Sequence, residues 1–337
     1  METLLKVQQI IIYEQKRTFI ILTMFNVWKG EIMIPNKLEK EDTLGIIAPS
    51  DNVTEQNLEE FNNSILLMEQ AGYNIKIGKN VFSNETGYGA TAKQKADDLN
   101  RMFADKDVKM VWCAKGGYNS NSIFELIDYE LIRNNPKILC GYSDTTAIAN
   151  IIYEKTGLVT FSGQTFKGLS SCETEYCYNE IIKRFQNADL ELGDNSDKYN
   201  VIQKGKAEGV MIGGNLSIFS NLITGKYSMN IKDKILFLEE FPLESPPEAV
   251  SSYFYRMKQN DVFSKIKGIW FGGYEHESGI TLSKILKDTI GDEYDFPIIQ
   301  SSNFGHIDKK TVIPIGIRVR IDTEDEIKIR LLEKCVK

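Results

Sequence analysis

Lys137-Ile138-Leu139-Cys140-Gly141-Tyr142-Ser143-Asp144-Thr145-Thr146-Ala147 is the stretch from which the fold can be read. Residues 137–140 carry a short apolar run that stops at a glycine, the pattern of a strand buried on both faces. Ala147, Ile148, Ile151 and Ile152 then recur at helical spacing as far as Gly157, a helix stop. A buried strand feeding a helix is half of a βαβ unit, and the same alternation runs upstream. Residues 44–48 read as the first strand, 55–71 as a helix carrying Leu58, Phe61, Ile65 and Met68, and 73–77 as the next strand. Ala92, Ala96, Leu99 and Phe103 mark a further helix, 110–114 a strand, and 123–131 a partly helical stretch. The expected fold class is α/β with a largely parallel sheet.

Residues 168–206 turn polar and irregular, which suggests an inter-domain linker or a flap, and residues 165–206 are expected to build the specificity pocket. A second unit starts near Ala207, with strands at 235–238 and 268–271, a helix over 247–259 and β-rich stretches over 311–332. The domains expected are therefore 33–167, carrying the strand-turn-helix above, and 207–337. Residues 1–32 hold two apolar runs interrupted by Glu14, Lys16 and Arg17, shorter than the roughly 20 residues of a membrane span and unlike a signal peptide. They read as an extension ahead of a natural start at Met33, or as a genuine N-terminal tail.

The 337 residues are 42% hydrophobic and 26% charged, a composition with ample chain for a buried core. A net charge of -7 argues against a nucleic-acid partner, because phosphate backbones reward clustered Lys and Arg. The five cysteines are odd in number, and Cys113 and Cys140 end apolar runs, so reduced thiols in the cytoplasm are expected. Cys172 and Cys177 lack the further ligands of a zinc site. No metal is called for.

His276 and His306 are the two histidines, so any imidazole base is one of them. Ser143 sits where a buried strand meets a helix, at the edge where parallel sheets bind substrates, with the Asp144 N-H and the helix N-terminus beside it. Such a serine is either a helix cap or a nucleophile. Gly116-Gly117 follows another strand end and is either a tight turn or a place where backbone N-H groups approach a ligand. Glu239 follows the apolar run 235–238, as an ordinary strand-end acid or as the partner that orients an imidazole. His306 lies in Asn303-Phe304-Gly305-His306, whereas His276 sits in a polar run that reads as a solvated loop. The stretch after the first strand, Ala48-Pro49-Ser50-Asp51, lacks the Gly-x-Gly-x-x-Gly turn of a dinucleotide-dependent oxidoreductase.

Taken together, Gly116-Gly117-Tyr118-Asn119-Ser120-Asn121-Ser122, Gly141-Tyr142-Ser143-Asp144-Thr145-Thr146-Ala147, Gly213-Gly214-Asn215-Leu216, 235–240 and Phe304-Gly305-His306 resemble the serine peptidase family of LD-carboxypeptidases and microcin C self-immunity peptidases. The resemblance runs from about Met33 to Val336 and lies closer to the immunity branch. It implies an N-terminal Rossmann-like domain, a smaller β-rich C-terminal α/β domain, a homodimer, and a Ser143, Glu239, His306 triad with Asp144 and Gly117 as oxyanion donors. It calls for no cofactor and no membrane. Its substrates would be a murein tetrapeptide losing D-alanine or a toxic aminoacyl-nucleotide, which link it to peptidoglycan recycling or antibiotic resistance. The immunity peptidases carry a tryptophan-bearing insertion for stacking on adenine, whereas residues 168–206 here hold no Trp; Tyr176, Tyr178 or Tyr199 are the stacking candidates. The alternative is a non-catalytic peptide- or nucleotide-binding protein, distinguished by whether a fluorophosphonate labels Ser143.

Overall fold

The computed structural model describes residues 31–193 and 199–337, so the reading of residues 1–32 as an extension falls, for 1–30, outside the described residues. Strand and helix alternate through the first half: β1 (Thr43–Ile47), α1 (Leu58–Gln70), β2 (Asn74–Ile77), α2 (Ala92–Ala104), β3 (Val108–Cys113), α3 (Tyr129–Asn134), β4 (Ile138–Gly141), α4 (Thr146–Thr156) and β5 (Thr160–Ser162). Beyond α5 (Thr174–Ile181) come β6 (Asn200–Gln203), β7 (Lys206–Asn215), α6 (Leu216–Phe219), β8 (Lys234–Glu239), α7 (Pro247–Gln259), β9 (Gly268–Phe271), α8 (Leu282–Ile290), β10 (Ile298–Gln300), β11 (Ile313–Ile315), β12 (Arg318–Asp322) and β13 (Ile329–Leu331).

Among the described residues these strands form two sheets. The first has the order β11-β5-β4-β3-β1-β2, parallel except for β11. The second has the order β13-β12-β7-β8-β9-β10-β6, with a parallel core from β7 to β10 and antiparallel strands at both ends. The parallel-sheet N-terminal unit and the β-rich second unit expected from sequence are both present. Central strands β4 and β8 are almost wholly buried, which is why they read as unbroken apolar runs.

Three features depart from the sequence reading. Within the polar stretch 168–206 the described residues include α5, which buries Cys177 and Ile181 and leads on to the buried Phe185. The guanidinium of Arg184, fully buried, donates to the carbonyls of Val312, Asp189 and Glu191, so polar composition here conceals packed structure. Next, β6 pairs with β10, so the second sheet draws on residues ahead of Ala207. Finally, β11 comes from the end of the chain yet closes the first sheet against β5. The helix α8 and the strands β5 and β10 were also not read from sequence, β5 and β10 being three residues each.

The two sheets meet where α4 packs on β7. Asn150 Nδ2 donates to the Gly213 carbonyl at 2.8 Å, the Gly213 N-H donates back to Asn150 Oδ1, and the Asn215 N-H donates to Thr146 Oγ1 at 3.0 Å. A Cβ on Gly214 would lie 2.5 Å from Thr146 Oγ1, so glycine is required for this approach.

Candidate active site

Strand β4 ends at Gly141, and Tyr142 continues extended into a single 3-10 turn, 143–145, that opens α4. Ser143 starts that turn with φ +62°, a left-handed conformation that costs a non-glycine residue about 1 kcal/mol or more. Strain of this kind projects a side chain off a sharp strand-to-helix corner. Gly116 backs the serine closely, for a Cβ there would lie 3.0 Å from Ser143 Cβ and 3.2 Å from its Oγ.

Glu239 is the last residue of β8, and His306 lies in the loop between β10 and β11. Their side chains meet: His306 Nδ1 is 2.7 Å from Glu239 Oε2, and His306 Nε2 is 3.1 Å from Ser143 Oγ. With its proton on Nδ1, donated to Glu239, the imidazole presents Nε2 to accept from the serine hydroxyl. Phe241 stacks on the ring with centroids 4.8 Å apart, and Tyr142 flanks it at 5.1 Å. Gly305 must be bare, since its φ is +112° and a Cβ would stand 3.3 Å from Glu239 Oε2. Burial is the largest influence on the His306 pKa and works against the imidazolium. The charge of Glu239 and its hydrogen bond together outweigh burial, so the pKa stands above the ordinary 6.5.

Beside this chain of groups opens a cavity of about 390 Å³, lined by Ser143, His306, Asp144 and Gly117 together with Tyr118, Asn215, Phe241, Glu244 and Tyr253 among others. All five site residues singled out in the sequence therefore come together. Glu240 turns the other way, accepting from Asn215 Nδ2 and from the Ser217 and Phe241 N-H groups, so the two adjacent acids serve different neighbours. His276 lies outside the cavity lining, with Nδ1 2.8 Å from Ser278 Oγ.

The specificity pocket was expected from 165–206, but among the described residues the lining of this cavity draws none from that range. Tyr176 is bonded to Thr311 instead, and Tyr178 and Tyr199 also lie outside the lining. The lining aromatics are Tyr118, Phe241 and Tyr253, which sequence reasoning did not single out. Tyr118 adjoins the glycine pair and Phe241 follows the Glu pair, and those neighbours were the available signal. Trp112 and Trp270 are core residues bonded to the Gln164 carbonyl and Ser301 Oγ. Cys172 and Cys177 are neighbours, and a hydrogen bond from Cys177 holds the Cys172 thiol below its ordinary pKa, against the effect of burial.

Two family models match the chain: the LD-carboxypeptidase N-terminal domain over residues 44–163 and the LD-carboxypeptidase C-terminal domain over 208–321. The "Probable murein peptide carboxypeptidase" of Bacillus subtilis is 30% identical over 304 residues, 87% of this chain and 92% of that protein. A MccF-like protein of Bacillus anthracis is 30% identical, with a TM-score of 0.79 over 90% of this chain and 99% of that one. The microcin C7 self-immunity protein MccF of Escherichia coli is 27% identical over 318 residues, 85% of this chain and 92% of that protein. Its complex with aspartyl sulfamoyl adenosine has a TM-score of 0.81 over 90% of this chain and 100% of that one.

Proposed function

This chain belongs to the LD-carboxypeptidase family of serine peptidases, and from that premise we propose that it hydrolyses an amide bond of a small substrate through Ser143, His306 and Glu239. The observation that carries the proposal is the unbroken chain of contacts from Ser143 Oγ through the His306 imidazole to Glu239 Oε2. His306 Nε2 takes the serine proton as Oγ attacks the scissile carbonyl, and Glu239 stabilises the imidazolium that forms. The tetrahedral oxyanion is held by the N-H groups of Asp144 and Gly117. His306 then protonates the leaving amine, and water repeats the cycle to free the acyl group. No metal or organic cofactor enters the scheme.

The first substrate class is a murein tetrapeptide that loses its terminal D-alanine, supported by the relative named as a murein peptide carboxypeptidase. The second is an aminoacyl-nucleotide, supported by the aromatic lining of Tyr118, Phe241 and Tyr253 and by the aminoacyl-sulfamoyl ligand of MccF. Cytoplasmic action and a homodimer belong to the same proposal, on the family resemblance. The test is mass spectrometry of a tetrapeptide ending in D-alanine, incubated with wild type and with Ser143→Ala. Release of D-alanine by wild type alone supports the carboxypeptidase reading. No release by a folded enzyme that fluorophosphonate still labels at Ser143 transfers the assignment to the aminoacyl-nucleotide.

A further inference from the structure

Behind the two backbone donors lies a buried polar cluster that the reaction scheme leaves unused. Asp144, only 2% exposed, accepts at Oδ2 from Ser50 Oγ at 2.5 Å and from the Ser120 N-H at 2.7 Å, and its carbonyl accepts from Ser120 Oγ at 2.7 Å. The peptide that follows the nucleophile is thus clamped from both sides. Asp51 stands against the other donor: its N-H donates to the Gly116 carbonyl, and a Cβ on Gly117 would lie 2.1 Å from Asp51 Oδ1. Each proposed oxyanion donor therefore has a carboxylate at its back, and two negative charges there oppose the charge that develops in the transition state.

One buried cation faces both. Lys95, on α2 and 2% exposed, donates from Nζ to Asn119 Oδ1 at 2.6 Å, and so ties α2 to the loop that carries Gly117. Burial pulls its pKa down while the charges of Asp51 and Asp144 push back up, which places all three in one electrostatic group. Lys115 also approaches Asp51, at 3.7 Å, but from a more exposed position where water screens it.

We infer that Lys95 is a positioning residue for hydrolysis at Ser143: it fixes the Gly117 loop through Asn119 and offsets the carboxylates of Asp51 and Asp144 behind the oxyanion site. The inference rests on the mechanism proposed above. A side chain that only filled space would affect stability; one that balances charge affects the step in which the oxyanion forms.

The test uses the labelling of Ser143 by a fluorophosphonate, whose phosphoryl oxygen gains charge where the oxyanion would form, so no substrate need be known. Lys95→Met should lower the saturating labelling rate kinact about 10- to 100-fold while KI stays within about threefold. Lys95→Met combined with Asp51→Asn should recover part of that rate, because one of the uncompensated charges has gone. Wild-type kinact in folded Lys95→Met overturns the inference, as does a loss that Asp51→Asn leaves unrepaired. Where Lys95→Met does not fold, Asn119→Ala cuts the same link from the loop side: a lower kinact at unchanged KI supports the role, and an unchanged kinact overturns it. Labelling that persists in Ser143→Ala overturns the mechanism and the inference together, whereas loss of labelling in Ser143→Ala beside a fully reactive Lys95→Met overturns the inference alone.

Discussion

Replacing Glu239 by glutamine removes one charge from the end of the Ser143-His306-Glu239 chain and keeps the shape of the side chain. The Glu239 and His306 side chains are 4% and 14% exposed, so water screens the pair poorly. At the observed 2.7 Å and an effective dielectric of about 20, an ion pair is worth about 6 kcal/mol of Coulomb energy. That attraction arises only once His306 has taken the serine proton, so it acts on the transition state and not on the resting enzyme. The cost of desolvating the two charges offsets part of it. A remainder of about 4 to 5 kcal/mol corresponds to a loss in kcat/KM of about a thousand- to several-thousandfold in Glu239→Gln. The pH profile adds a second, signed expectation. Catalysis needs neutral imidazole, so wild-type kcat/KM should fall on the acid side with a midpoint above 6.5, where Glu239 holds the His306 pKa. In Glu239→Gln burial and the Lys310 charge still lower the His306 pKa while Glu240 alone raises it, so the midpoint should drop below 6.5. The assay is kcat/KM from pH 5 to 9 on both proteins, with melting curves to establish folding. A folded variant within about tenfold of wild type, or an acid limb that does not move, refutes the electrostatic role of Glu239.

Other outcomes follow from the same geometry. His306→Ala should lose about three orders of magnitude or more in turnover, and His276→Ala should be nearly silent, because the latter bonds to Ser278 of its own loop and lies outside the cavity lining; equal losses would overturn the histidine assignment. Ser143→Gly should be more stable than Ser143→Ala by about 1 kcal/mol in denaturant titration, since glycine takes the +62° φ without strain; a less stable glycine variant would show that the corner is unstrained. Gly214→Ala should push α4 from β7 at Thr146 and cost about a hundredfold in turnover through misplacement of Ser143, read as kcat in a protein that still melts cooperatively; unchanged kcat would mean that the joint between the sheets tolerates the shift.

The alternation of the first half was legible because parallel strands covered on both faces are apolar, and residues 110–113 of β3 and the strand β4 are such runs ended by Cys113 and by Cys140-Gly141. The placement of Ser143 followed from the same rule, since a residue just beyond a buried strand has to emerge at the sheet edge. Its positive φ left no trace in composition, because serine is not a residue that advertises a left-handed backbone. Glu239 and His306 are 67 residues apart and His306 lies 163 residues from Ser143, so no local spacing could join them; the family resemblance did so instead. The helix α5 was hidden for a different reason. Arg184, in the turn that follows it, reads as a surface residue until its guanidinium is seen to be satisfied by the carbonyls of Asp189 and Glu191 close by and of the distant Val312, which periodicity does not encode. The antiparallel strand β11 is equally non-local, since its partner β5 lies about 150 residues earlier in the chain.

That division of the site between two sheets makes the contact between them part of the chemistry. Ser143 rides on the β4-α4 corner of the first sheet, Glu239 ends β8 of the second, and the loop of His306 runs from β10 of the second sheet to β11 of the first. The 3.1 Å between Ser143 Oγ and His306 Nε2 is therefore set by how α4 seats on β7. That seat is made of buried hydrogen bonds between Asn150 and Gly213 and between Thr146 and Asn215, at a place where bare glycines let the backbone come close. Buried bonds of this kind are costly to leave unmade, so they favour this one seating of α4 on β7. The outer contact across the cavity is of another kind: the Tyr118 hydroxyl donates to Glu244 at 2.8 Å, from a side chain 73% exposed. Water competes for that bond, and a substrate entering between Tyr118 and Glu244 can break it at little cost. The nucleophile and its base are thus held in register by buried bonds at the inner joint, while the contact across the rim is a single solvent-exposed bond.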